Sequence, residues 1–109
     1  LEVDAFVTKT SSRVVEVHPE VCFAEMNDAP LPWAKKNWSG IELRRRLLAQ
    51  QGLNLPADLG ELGEVTAADD VLDAAAAAWT AMRVALGTAY SLPDPPEKFS
   101  DGIECAIWV

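Results

Sequence analysis

Three aspartates, Asp69, Asp70 and Asp73, open a nearly all-apolar stretch that runs to Leu86. Hard divalent cations take carboxylate oxygens as ligands, so the cluster is a candidate metal site. Part of it has a simpler account. Carboxylates in the first turn of a helix interact favourably with the N-terminal end of the macrodipole, each by roughly 0.3–1 kcal/mol, which covers Asp69 and Asp70. Asp73 lies one turn further on, where that benefit has faded and where it repels the two acids before it. A cation held between Asp70 and Asp73 would relieve the repulsion.

Other chemistry-bearing residues stand apart. Glu16 falls in Arg13–Val17, RVVEV, a β-branched run that reads as a strand buried on more than one face. A carboxylate buried there alone costs several kcal/mol, so Glu16 is expected at the strand end, paired, protonated or on a metal. His18, the only histidine, marks a strand-to-helix transition, where α/β proteins place site residues; a local backbone hydrogen bond accounts for it equally well. Glu20 follows Pro19 in the opening turn of the next helix. Lys35, Lys36, Arg44, Arg45 and Arg46 gather five of the nine basic residues, which makes either a phosphate-facing patch or a solvated helix face. Trp33 and Trp38 bracket the lysines. Aromatics so interleaved can stack bases, but tryptophans in a proline-bearing loop also serve as its anchors.

The elements that must position these residues follow from spacing. Thr66 with Asp69 forms a capping-box variant and Gly87 a stop, predicting a long central helix near 67–86. At about 100° per residue, Leu72, Ala75, Ala76, Trp79, Met82 and Leu86 share its buried stripe, and Ala74–Ala78 allow a neighbour to approach closely. Ser39-Gly40-Ile41-Glu42 is a second capping box. It opens a helix ending at Gly52, with Leu43, Leu47 and Leu48 inward and the arginine triplet outward. A short helix follows His18, one helical turn is expected at 57–62, and SLPDPPEKFSDG after Tyr90 reads as a turn-rich spacer. Strands are expected near 12–17 and 103–109. The fold class is therefore α/β, helix-rich, with about two strands.

Residues 1–109 make a single domain with a net charge of −8. That charge argues against passive, sequence-independent attachment to nucleic acid. No apolar run approaches the ~20 residues that span a membrane, and nothing at the N-terminus reads as a signal peptide. Cys22 and Cys105 have neither zinc nor disulfide spacing, so a reducing cytoplasm is expected. Half a sheet leaves strand edges exposed, which predicts a homo-oligomer or a missing N-terminal segment as cover.

Val15-Glu16-Val17-His18-Pro19-Glu20-Val21, Lys35-Lys36 with Gly40 and Arg44, Asp69-Asp70-Val71-Leu72-Asp73-Ala74, Ala78-Trp79-Thr80-Ala81 and Ala106-Ile107-Trp108 together resemble one family. It is the domain of unknown function 429 family, whose members are predicted ribonuclease H-like nucleases; the motifs keep their order over nearly the whole chain. The resemblance implies a partial ribonuclease H-like fold, the C-terminal portion of a longer domain. It also implies two-metal phosphodiester hydrolysis, with Mg²⁺ or Mn²⁺ as cofactor and nucleic acid as partner. By the same resemblance, Glu16, Asp70 and Asp73 would hold metal, Glu20 and His18 would complete the catalytic set, and Lys35, Lys36 and Arg44 would meet phosphate. The family's first catalytic aspartate is not in this sequence, so the chain alone is expected to be inactive. The alternative expectation is a non-catalytic binding or assembly module that uses the segment from Lys35 to Arg46.

Overall fold

Leu72, Ala76 and Trp79 recur every three or four residues, so a helix through them carries one apolar face, and the other elements assemble on that face. The computed structural model describes residues 15–98 and 104–109. Along the chain run β1 (Glu16–Val17), α1 (Pro19–Asn27), α2 (Trp38–Gln50), α3 (Leu62–Val65), α4 (Ala68–Leu86), β2 (Ser91–Lys98) and β3 (Glu104–Trp108). The class is mixed α/β. The strands form one three-stranded sheet in the order β1-β3-β2. Central β3 runs parallel to β1, with Glu16 opposite Ile107, and antiparallel to β2, with Ser91 opposite Trp108. A parallel pair needs a long crossover, and α1 to α4 lie within it.

The core joins Cys22 and Phe23 of α1, Leu43, Leu47 and Leu48 of α2, Leu72, Ala76 and Trp79 of α4, and Val109 after β3. Removing Phe23 or Leu48, both 0% exposed, would cost about 2–5 kcal/mol by transfer and cavity terms. Polar groups pair across the seams: the Trp79 indole N–H donates to Gln51 Oε1 at 3.2 Å, and Cys22 Sγ lies 3.1 Å from Thr80 Oγ1, whereas the buried Arg83 Nε has no hydrogen-bond partner among the described residues. The apolar stripe of α4 is covered only in part, since Met82 and Leu86 are 46% and 70% exposed. Length explains this. At 1.5 Å per residue, the 19 residues of α4 span about 28 Å, against about 20 Å for α2 and about 14 Å for α1.

Several expected boundaries move. The N-cap of α4 is Ala67, with no side-chain cap bond, because Thr66 closes α3 by donating its N–H to Leu62 O at 3.0 Å. Asn37, rather than Ser39, caps α2: its Oδ1 accepts from the Gly40 N–H at 2.7 Å. A Cβ on Gly40 would come 1.8 Å from Ala34 O, so the preceding loop lies directly against the first turn of α2. The helical turn expected at 57–62 forms instead as α3. Asp58 Oδ1 accepts from the Gly60 N–H, and Gly60 adopts a left-handed φ of 65°, which makes a turn there. The expected spacer contains β2, whose Pro93, Pro95 and Pro96 hide a strand that such residues permit only at a sheet edge. Within the described residues the strand near 12–17 is Glu16–Val17; residues 12–14 lie outside them.

Tyr90 ties the start of β2 to α1, its hydroxyl donating to Glu25 Oε2 at 2.6 Å. That bond, then burial and the Glu25 charge, hold the phenol above its ordinary value of 10.0, with Arg83 opposing. A phenol raised in the folded state is protonated in both states below pH 10, where its stabilising effect is complete. As pH rises through the folded value, the unfolded chain ionises first and stability is lost. Tyr90→Phe should therefore flatten the decline of stability above pH 10 in urea titrations. Asn37→Ala should cost about 1 kcal/mol in the same titrations, whereas Ser39→Ala should leave the midpoint unchanged.

Candidate functional site

Repulsion between acids one turn apart on α4 does draw a cation, and that cation is an ammonium of the chain itself. Lys35 Nζ lies 3.8 Å from Asp69 Oδ2 and 3.5 Å from Asp73 Oδ2. The bridged pair is thus Asp69 and Asp73, i and i+4 along the helix, and not Asp70 and Asp73. Asp70 is rotated by about 100° from Asp69 and is exposed. With Lys35 at 40% side-chain exposure, each of these contacts stabilises by roughly 0–1 kcal/mol. Their structural effect is to hold the 28–37 loop on the first two turns of α4.

Glu20 and Arg44 also meet each other. Arg44 is 1% exposed, so the arginine triplet does not lie wholly outward as its position in the sequence suggested. Arg44 Nε donates to Glu20 Oε2 at 3.1 Å and Nη2 to Oε1 at 2.5 Å, while Nη1 donates to Trp33 O at 3.0 Å and Gly40 O at 2.9 Å. Its guanidinium carbon stands 5.7 Å from the Phe23 ring centroid. The planar fork suits this bidentate, partly stacked site as a lysine would not. One side chain so joins α1, the 28–37 loop and α2. For a phosphate to reach Arg44, it would have to displace both the Glu20 carboxylate and the covering chain.

Glu16 is exposed in β1, which relieves the desolvation expected of it. His18 is exposed at the N-cap of α1 without a side-chain cap bond, and its carbonyl accepts from the Val21 and Cys22 amides. Lys36 is exposed. Among the described residues, no group of three or more His, Cys, Asp or Glu side chains is placed to hold a metal ion; Glu16, Asp70 and Asp73 do not gather into one. Cys22, 0% exposed, packs in the core, where burial pushes its thiol above its ordinary value, with the Thr80 contact opposing.

A surface cavity of about 270 Å³ was not anticipated. It lies along α2 and is lined by Glu42, Arg45, Arg46, Ala49, Asn54 and Leu55. Its signal in the sequence was the pair Arg45 and Arg46 with Ala49 one turn on, but the floor comes from the turn after Gly52, which helical spacing does not place. Trp38 and Trp33 are 75% and 46% exposed, so neither ring is buried as a loop anchor.

Breaking the Glu20–Arg44 pair should be asymmetric. Glu20→Ala leaves a buried guanidinium with only carbonyl acceptors and should cost about 3–5 kcal/mol in chemical denaturation. Arg44→Met keeps the apolar stem packed and leaves Glu20, 39% exposed, able to hydrate, so it should cost clearly less.

Comparison with curated proteins gives no match, and neither does comparison with solved structures. The family model described as "Protein of unknown function (DUF429)" matches residues 1–98, and the chain belongs to that family.

Proposed function

We propose that this chain works as a non-catalytic binding module on a ribonuclease H-like α/β scaffold. The observation that carries the reading is the Lys35 ammonium seated against Asp69 and Asp73. With Glu20 committed to Arg44, three of the acids nearest the expected centre serve the fold. With two of the chain's own cations set against these three carboxylates, the negative charge that draws divalent metals is reduced there. Basic and aromatic residues around α2 remain outward and supply the binding surface.

A second reading is favoured by Glu16 and Asp70, both exposed. Here the chain is part of a two-metal nuclease in which Glu16, Asp70 and Asp73 hold Mg²⁺ or Mn²⁺ together with carboxylates from outside the described residues. Asp73 would then have to exchange Lys35 for metal. The exposure of Glu16 and Asp70 supports this reading; the placement of Asp69, Asp73 and Glu20 against Lys35 and Arg44 supports the first.

Incubating the chain with end-labelled single-stranded DNA, single-stranded RNA and an RNA–DNA hybrid in millimolar Mn²⁺ or Mg²⁺ distinguishes them. The module reading expects no cleavage above the metal-only blank. Metal-dependent cleavage that disappears in Asp70→Asn, Asp73→Asn would overturn it. Lys35→Met should lower stability by less than about 1 kcal/mol without creating activity.

A further inference from the structure

We infer that the outer face of α2 is a landing surface for single-stranded nucleic acid, with Trp38 as the stacking platform and Lys36, Arg45 and Arg46 as the phosphate contacts. The inference rests on the binding-module reading and names its partner. The charges sort themselves first. Of the five basic residues between Lys35 and Arg46, Lys35 is neutralised by Asp69 and Asp73, and Arg44 by Glu20. Lys36, Arg45 and Arg46 form no ion pair among the described residues, although acids outnumber bases 17 to 9 in the chain. Lys36 is exposed two residues before α2, and Arg45 and Arg46 line one cavity with Glu42, Arg45 also donating to Leu55 O at 3.5 Å; on an acidic protein these cations give a local positive field complementary to a phosphate backbone, which Glu42 reduces.

Trp38 supplies the second half. It is the first residue of α2, capped behind by Asn37, and at 75% exposure its ring packs against little of the protein. Aromatic rings so presented stack on bases, and any base serves because each has a π face. Helix geometry puts Arg45 on the same face as Trp38, seven residues and about 10.5 Å further along. There Arg45 and Arg46 line the 270 Å³ cavity with Asn54. Lys36 flanks the ring on its other side in sequence. A strand laid along α2 would place a base on Trp38 and its following phosphates at the cavity. Glu42, one turn after Trp38 and also in the cavity, weakens the phosphate attraction and can accept from base amino groups.

Single strands fit better than duplexes for two reasons. Their bases are free to unstack onto Trp38, and a net charge of −8 opposes the denser phosphate array of a double helix.

The test is fluorescence anisotropy of a labelled oligo(dT) with the chain, repeated over a salt series. Binding at low salt is expected, with a log K against log salt slope near −2 for three phosphate contacts at about 0.7 each. Arg45→Gln, Arg46→Gln should reduce the slope to about −0.7. Trp38→Ala should weaken binding by about tenfold or more, with circular dichroism unchanged because the ring is exposed. A duplex of equal length should bind more weakly. No binding at low salt, an unchanged affinity in Trp38→Ala, or equal capture of a poly-glutamate peptide or of anionic lipid vesicles would overturn the inference. Gel analysis of the same oligonucleotide with Mn²⁺ keeps the two proposals separate. Cleavage contradicts the module reading whatever the affinity, whereas absence of both binding and cleavage contradicts only the landing surface.

Discussion

The helical layer depends on one buried cation. Arg44 has exchanged water for Glu20, two backbone carbonyls and the face of Phe23, partners drawn from α1, the 28–37 loop and the first turn of α2. A buried ion pair contributes little net stability over an apolar replacement, but once present it allows few alternative arrangements of its partners. The 28–37 loop must pass where its Trp33 carbonyl meets the guanidinium. Its next residues then lie so close to α2 that position 40 can carry no Cβ, Ala34 O already standing 1.8 Å from where that atom would be. From there Lys35 reaches Asp69 and Asp73 on α4. A line of charge contacts thus runs from α1 through the loop to α4, parallel to the apolar core that joins the same helices.

This line engages four of the eight residues whose types suggested chemistry, Glu20, Lys35, Arg44 and Asp73. Carboxylates placed at strand ends and first helical turns are what a metal-dependent hydrolase requires, and they are also what a small domain can use to tie a loop to its helices. The difference lies in which cation stands nearest. Here Lys35 and Arg44, two of the basic residues that would otherwise face phosphate, occupy the acids. Arg45, Arg46 and the exposed indole of Trp38 lie on α2, with Lys36 just before it and Glu42 sharing the cavity of the two arginines.

Long-period patterns carried most of the fold into view from sequence. The apolar spacing of α4 and its Gly87 stop placed that helix to within a residue at its start, the leucines of α2 fell inward as expected, and Glu104–Trp108 formed the strand its β-branched and aromatic residues indicate. What stayed hidden was decided by contacts between distant residues. Arg44 reads by its charge as part of an outward triplet, yet at about 100° per residue it falls on the stripe of Leu43, Leu47 and Leu48; Glu20, 24 residues earlier, is the partner that lets a cation occupy that stripe. Asn37 won the cap from Ser39 because the loop approaches Gly40. β2 was masked by prolines that a central strand would forbid and an edge strand tolerates. Of the candidate site, the acids on α4 and the basic window were legible, but their mutual neutralisation was not.

The central claim is that Asp69 and Asp73 belong to Lys35 and not to a divalent metal. Titrating Mn²⁺ into ¹⁵N-labelled chain and following paramagnetic broadening residue by residue tests it directly. Carboxylates held by Lys35 predict weak, diffuse broadening spread over the exposed acids, unchanged in pattern by Asp70→Asn. Selective loss of the amide signals of Asp69 to Asp73 together with Glu16 at low Mn²⁺, restored by added chelator, would contradict it and return these residues to a metal centre.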